Sequence, residues 1–382
     1  MMRFLLALLF APGAFAWEEH QAIVSRLLTT PPAESRAYLA RSVEIPCAEE
    51  EVRQREELAR RIQVREEAIP LHSTVKCGSR RPRSLTVMEF LKTGLVDEPD
   101  LGMDQNLPDA ADPNGYRKWM GGDRGPTSQG FRHMVFPGME WLSPLQTFQL
   151  PTSRIGEAFA RIDLLGREAG RALQKGDLFW GLRLMQWQEH FLQDLYQPFH
   201  TTQIPSLRMV PWKSIFSGLV RKTTHAISNY HYAYEGMVLE WVKGVDEESE
   251  RCFLPAGARA YAGEAEFSKT PRRVASRLGG ALHVVLGDEM KSEEVDLPNG
   301  KGSLDYYRLL HARREETSPE ALSSLTPGDR KTHLRSVEMV AAMERVKAVT
   351  CELMRELASG FWGNLDRAFQ DLTRSNSSSN GR

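Results

Sequence analysis

Apolar residues recur every three to four positions along most of this chain, and the period-two alternation of half-buried strands is nearly absent. That pattern restricts the fold to packed helices: a helix presents a side chain to the same face every 3.6 residues and must bury that face against another helix. Helices are predicted over Trp17–Leu28, Glu49–Glu67, Leu85–Lys92, a segment capped by Thr152-Ser153 and running to Leu173, Gly176-Asp177 to Tyr196, His225–Val242, Pro271–Val285 and Arg335–Leu372. Between them, Asp97 to Gln129 shifts to Asp, Gly, Pro and Asn and reads as one long loop, a feature that in compact proteins is usually functional or disordered. Thr373–Arg382 is rich in Ser, Asn and Gly and is expected to be a disordered tail. With 382 residues, 41% of them hydrophobic, the chain can bury a sizeable core. The expected fold is an all-α, single-domain helical bundle over residues 17–372, with no internal repeat. Its 49 basic and 50 acidic residues nearly balance, so net charge demands neither a nucleic acid nor an anionic membrane as partner.

The N-terminus reads as an export signal. Met1-Met2-Arg3 is a short positive start, Phe4–Phe10 is apolar, and Ala14-Phe15-Ala16 supplies the small-x-small cleavage pattern. The apolar run is far shorter than the ~20 residues a membrane span needs. Residues 1–16 are therefore expected to be removed, leaving a secreted or periplasmic chain that begins at Trp17. Export permits disulfides among Cys47, Cys77, Cys252 and Cys351, whose spacings match no metal knuckle. Neighbouring loops favour Cys47–Cys77, with four free buried thiols as the alternative.

The chemistry concentrates in His190-Phe-Leu-Gln-Asp194-Leu-Tyr-Gln-Pro-Phe-His200. His190 and Asp194 are four apart on a predicted helix and share one face. Pro198 breaks that helix, so the chain can turn back and bring His200 near the same face. A second pair at the same spacing, His231-Tyr-Ala-Tyr-Glu235, lies on the next predicted helix. Alone, such a pair is commonly a solvated helix face. Following His200, it matches the way metal sites in bundles are assembled from facing helices, and imidazole plus carboxylate is a ligand set that zinc favours.

The run His190–His200 resembles the signature of the zinc-dependent phospholipase C and single-strand-specific nuclease superfamily, down to its Asp-x-x-x-Pro-x-His ending. Asn229-Tyr-His231-x-x-x-Glu235 is similar to that family's next ligand pair, and Trp17 followed closely by His20 looks like its processed N-terminus. The matched motifs span Trp17 to Glu235. The resemblance implies three zinc ions. His190, Asp194, an earlier His and an earlier Asp would hold the first, and His200, His231 and Glu235 the second. The α-amine and carbonyl of Trp17, with His20, would hold the third, and Asp194 would bridge the first and third. For the earlier His the choices are His72 and His133; Arg132-His133-Met134 follows the acidic loop, as the family order implies, so His133 is preferred. For the Asp, Gly94-Leu-Val-Asp97-Glu-Pro-Asp100 resembles a family turn ending in Pro-Asp, and Asp100 is preferred over Asp97 and Asp104. Three features depart from the family. Asp100 and His133 lie about twice as far apart as the family implies, Trp17 and His20 are unusually close, and Leu101 stands where choline-specific lipases carry an aromatic. With His133 preferred, His72, His225, His283, His311 and His333 show no ligand pairing and read as structural or surface residues.

The resemblance implies phosphodiester hydrolysis by a zinc-bound hydroxide, with Asp100 as the orienting base. Substrate choice then rests on the walls of the site. Residues 204–222 place Trp212 and Phe216 among apolar and basic residues, which suits transient contact with a membrane surface. The same aromatics equally suit stacking of unpaired bases. Phospholipase C-type cleavage is the expected function. A single-strand-specific nuclease with the same site is the alternative, and an exported zinc-binding protein without catalysis the second alternative. A monomer is expected.

Overall fold

The computed structural model describes residues 20–64, 66–78, 83–101, 132–136, 156–214, 216–244, 247–264, 269–297 and 330–379. It is all-α apart from one small antiparallel ribbon. The helices are α1 His20–Leu27, α2 Arg36–Leu39, α3 Ala48–Ile62, α4 Val87–Leu91, α5 Ala158–Gln174, α6 Leu178–Tyr196, α7 Pro198–Thr201, α8 Leu219–Lys243, α9 Glu247–Cys252, α10 Lys269–Leu286 and α11 Arg330–Ser379.

The central unit is the hairpin of α5 and α6. Its turn is made by Gly176, at a φ of 78° that glycine adopts freely, and by Asp177, whose carboxylate accepts the Trp180 N–H and caps α6. The two helices approach closely because Gly181 carries no Cβ: one there would lie 2.5 Å from the Leu173 side chain. α11 packs on this hairpin and on α10, and α8 packs against α1 and α10. Trp187, Tyr230, Tyr234, Phe191, Trp362 and Phe369 fill the core with side chains less than 2% exposed. Among the described residues, no helix is long and apolar enough to cross a membrane.

Two disulfides close the chain on itself. Cys47–Cys77 forms as expected, and Cys252–Cys351 ties α9 to α11.

Several boundaries differ from the sequence reading, each for a local reason. The helix expected from Leu85 begins at Val87, because Ser84–Thr86 pairs antiparallel with Ser42–Glu44 and Thr86 forms a capping box with Glu89. The helix expected to reach Glu67 ends at Ile62, where Gln63 turns left-handed at a φ of 56°. Asp97 starts no open loop: Leu95–Leu101 winds into a 3-10 turn packed on α6 and α1. The cap proposed at Thr152-Ser153 lies outside the described residues, and α5 starts later, at Ala158. The tail expected to be disordered beyond Leu372 continues as helix to Ser379. The buried turn at Phe369 and Leu372 nucleates it, and each added residue costs little once a helix exists.

Candidate metal centre

The site is built around α6. His190 and Asp194, four residues apart, both point into the interior, each 0% exposed, with His190 Nε2 3.4 Å from Asp194 Oδ2. The helix ends because Gln197 adopts extended backbone ahead of Pro198, which opens α7 at its first turn. The amide oxygen of Gln197 accepts the Phe199 N–H, and the reversal returns His200 Nδ1 to 3.7 Å from Asp194 Oδ1.

His133 joins them from a separate segment, with Nδ1 2.6 Å from Asp194 Oδ2 and 3.0 Å from His190 Nε2. That segment is clamped on both sides. Val135 N–H donates to the His200 carbonyl at 2.9 Å, and the His133 carbonyl accepts His200 Nδ1–H at 3.1 Å. On the other side the Met134 carbonyl passes so close to Gly156 that a Cβ there would sit 2.0 Å away. α1 contributes His20, whose Nε2 lies 3.5 Å from Asp194 Oδ1. α8 contributes His231 and Glu235, with Nε2 and Oε1 2.7 Å apart.

Two groups of side chains could each hold a metal ion: His20 with His190 and Asp194, and His200 with His231 and Glu235. Each group is buried. In a tetrahedral site with bonds of about 2.0–2.2 Å, ligand atoms sit roughly 3.3–3.5 Å apart. The 3.4 and 3.5 Å separations from Asp194 Oδ2 to His190 and from Oδ1 to His20 are close to that edge, whereas the 2.6 Å His133–Asp194 and 2.7 Å His231–Glu235 contacts would have to open around an ion.

The imidazoles are oriented from behind. His190 Nδ1–H donates to the Val96 carbonyl at 2.8 Å, His20 Nδ1–H to Gln193 Oε1 at 2.9 Å, and His200 Nδ1–H to the His133 carbonyl. Each bond commits Nδ1 to its proton and leaves the Nε2 lone pair facing inward. His20 Nε2, His200 Nε2 and Glu235 Oε2 are buried and make no hydrogen bond. Native proteins rarely leave buried polar atoms in that condition. Burial pushes the His20 pKa down to about 3 even though the Gln193 hydrogen bond works the other way. Burial also holds His190 and His200 well below 6.5, with the neighbouring imidazoles adding to the shift. All three rings are therefore neutral at physiological pH, the form that binds a cation.

The residues expected from the sequence divide as follows. His20, His133, His190, Asp194, His200, His231 and Glu235 converge. Between the two candidates for the earlier His, the structure brings in His133; His72 instead pairs with Glu98 at 2.6 Å. There Arg183 bridges Glu98 and Glu51, a buried charge network away from the centre. Asp97 accepts the Gln21 N–H at 3.1 Å and so anchors the start of α1. The backbone of Asp100 lies in the 3-10 turn whose Val96 carbonyl orients His190. Trp17, Asp104 and the side chain of Asp100 lie outside the described residues. His225 and His283 take structural roles, donating to the Val295 carbonyl and bonding the Tyr230 hydroxyl.

Sequence reading missed the supports, Gln193 and Gln197. Gln193 holds His20, and Gln197 donates its amide to Glu235 Oε1 at 3.0 Å. Both lie inside the same run, one residue before Asp194 and three after it, and buried amides within a ligand motif were the available signal. The chain matches no family model, no curated protein and no solved structure.

Proposed function

We propose that this chain is an exported, zinc-dependent hydrolase of phosphodiesters, of the phospholipase C and single-strand-specific nuclease superfamily that its His190–His200 run resembles. One observation carries the reading: His20 Nε2, His200 Nε2 and Glu235 Oε2 are buried, make no hydrogen bond, and belong to two ligand clusters beside Asp194. A donor set of imidazoles and carboxylates fits zinc. His133, His190, Asp194 and Asp100 would hold one ion, His200, His231 and Glu235 a second, and His20 with the Trp17 α-amine a third. The two disulfides support an oxidising destination.

When bound, zinc supplies Lewis acidity toward the phosphate oxygens and lowers the pKa of water toward ~7. The chain's own residues do the rest. Val96, Gln193 and the His133 carbonyl hold the Nδ1 sides of His190, His20 and His200 and so orient those rings. Gln197 holds the Glu235 carboxylate while also capping α7. Asp194 touches His20, His133, His190 and His200, which suits it to bridge two cations. Asp100 is assigned the orienting base.

A phospholipid is the favoured substrate because of the loop that joins α7 to α8. Ile204, Met209 and Val210 pack inward, whereas Trp212 is 53% and Phe216 99% exposed. A fully exposed Phe beside a half-exposed Trp is what an interfacial contact needs. These aromatics serve equally as stacking platforms for unpaired bases, which makes a nuclease the second reading.

The test is metal analysis of the mature chain, with assays on phosphatidylcholine vesicles, a short-chain soluble phosphatidylcholine and single-stranded DNA. About three zinc ions per chain are expected, with activity abolished by a strong chelator. Trp212→Ser with Phe216→Ser should depress vesicle hydrolysis at least tenfold more than hydrolysis of the soluble lipid. Turnover of DNA alone would transfer the assignment to a nuclease, and absence of tightly held metal would overturn the hydrolase.

A further inference from the structure

A cavity opens where α10 and α11 meet. It encloses about 760 Å³. Small residues line it between the helices, Gly280 and Ala281 on α10 and Ala341 and Ala342 on α11, together with Val284. Its rim carries three guanidinium groups from three separate elements: Arg208 from the 3-10 turn Leu207–Met209, Arg277 from α10 and Arg345 from α11. The acidic group on the rim is Glu338.

Arg277 shares its charge with Glu352, Nη1 to Oε2 at 2.5 Å. Arg208 and Arg345 have no ion pair among the described residues. The position of Arg208 is not accidental, because the loop carrying it is pinned to α10. Pro205 lies so close to Gly279 that a Cβ there would meet its carbonyl carbon at 2.6 Å. Ser206, 3% exposed, accepts the Arg208 N–H through its hydroxyl. Cations that line one cavity repel one another, and an anion placed among them relieves the repulsion.

We propose that this groove binds a phosphate group, its organic remainder resting on the alanine and glycine lining. Guanidinium forks match phosphate oxygens two at a time, and a tetrahedral phosphate accepts from several directions at once, as three arginines on different elements require. Glu338 would receive a hydroxyl or amine of the same ligand. The phosphate can come from a soluble ester or from a lipid headgroup, since the turn bearing Arg208 leads directly to exposed Trp212. None of the residues that line the groove belongs to the candidate metal centre.

The experiment uses the full mature chain. Glycerol 3-phosphate is titrated calorimetrically, and phosphatidylcholine vesicles with and without phosphatidic acid are tested by co-sedimentation. The variants are Arg208→Gln with Arg345→Gln, and separately Ala341→Glu, which sets a carboxylate in the lining. Arg53→Gln with Arg60→Gln, an exposed pair on α3, matches the charge loss elsewhere. Both groove variants should weaken binding at least tenfold, with the α3 pair close to wild type. Loss of glycerol 3-phosphate binding identifies a soluble ester, and loss confined to phosphatidic acid vesicles identifies a headgroup. Unchanged binding in the groove variants, or an equal loss in the α3 pair, overturns the site. Metal content is read in the same preparations, so a chain lacking zinc would sink the hydrolase while leaving the result for the groove intact.

Discussion

Glu189 shows how a single buried side chain sets a pH dependence. It lies next to His190 on α6, is 4% exposed, and accepts the Gln193 amide at 3.3 Å. Burial pushes its pKa from 4.5 up to about 8, with the Gln193 hydrogen bond opposing the shift. A folded pKa above the unfolded one means the native state holds the proton longer. The stabilising contribution is therefore complete below about 4.5 and is lost as pH rises through about 8. Glu189→Gln keeps an acceptor oxygen for Gln193 and removes the ionisation. Its Tm should match wild type near pH 5 and exceed it by several degrees near pH 9. Parallel Tm profiles for the two proteins across that range would show that Glu189 does not titrate there. Because Gln193 also holds His20, the buried chain Glu189–Gln193–His20 ends at the candidate metal centre.

At the scale of elements, the centre depends on how segments of different type are clamped together. α6 delivers two candidate ligands by its periodicity alone, but His133 is placed by a short separate segment wedged between Gly156 and the His200 backbone. Gly156→Ala would set a Cβ against the Met134 carbonyl at a φ of 99°, which is costly for any L side chain. A loss of about 2 kcal/mol or more in stability is expected, with weaker retention of any metal the candidate centre holds because Met134 adjoins His133. Gly170→Ala is the control. It lies inside α5 with nothing within 4 Å of the added Cβ, and it should be neutral or stabilise by about 0.5–1 kcal/mol. Denaturant unfolding and metal analysis of both variants give the comparison. Equal stabilities would mean that the clamp is not rigid.

For the whole molecule, the two disulfides differ in reach. Cys47–Cys77 closes 30 residues, whereas Cys252–Cys351 closes 99 and fastens α9 to the long C-terminal helix. Cross-linking limits the unfolded chain more as the loop grows, and the difference between these loops corresponds to about 1 kcal/mol. Replacing Cys252 and Cys351 by Ser should therefore destabilise the fold more than replacing Cys47 and Cys77, within a range of roughly 2–5 kcal/mol for either pair. Chemical denaturation of the two double variants measures the order. The reverse order would show that native packing around α9, rather than chain entropy, dominates.

The all-α class and most helices were legible in the sequence because periodicity is a local property: each helix hydrogen-bonds within itself, so its apolar face is written in consecutive residues. The same locality made His190 with Asp194, and His231 with Glu235, readable as pairs on one face. Pro198 marked the helix end, and the reversal follows from its missing N–H and its restricted predecessor. Tertiary structure decided what no spacing encodes. It set His133 in the cluster and His72 against Glu98, since both are isolated histidines whose surroundings come from distant segments. It made Asp97 an anchor for α1, paired Ser42–Glu44 with Ser84–Thr86, and joined Cys252 to Cys351. It also assembled the arginine groove from three elements far apart in the chain. The physical reason is common to all of these. A helix face is fixed by bonds between near neighbours, whereas the partners of a loop residue or of a lone charge are chosen only when remote surfaces pack and exclude water.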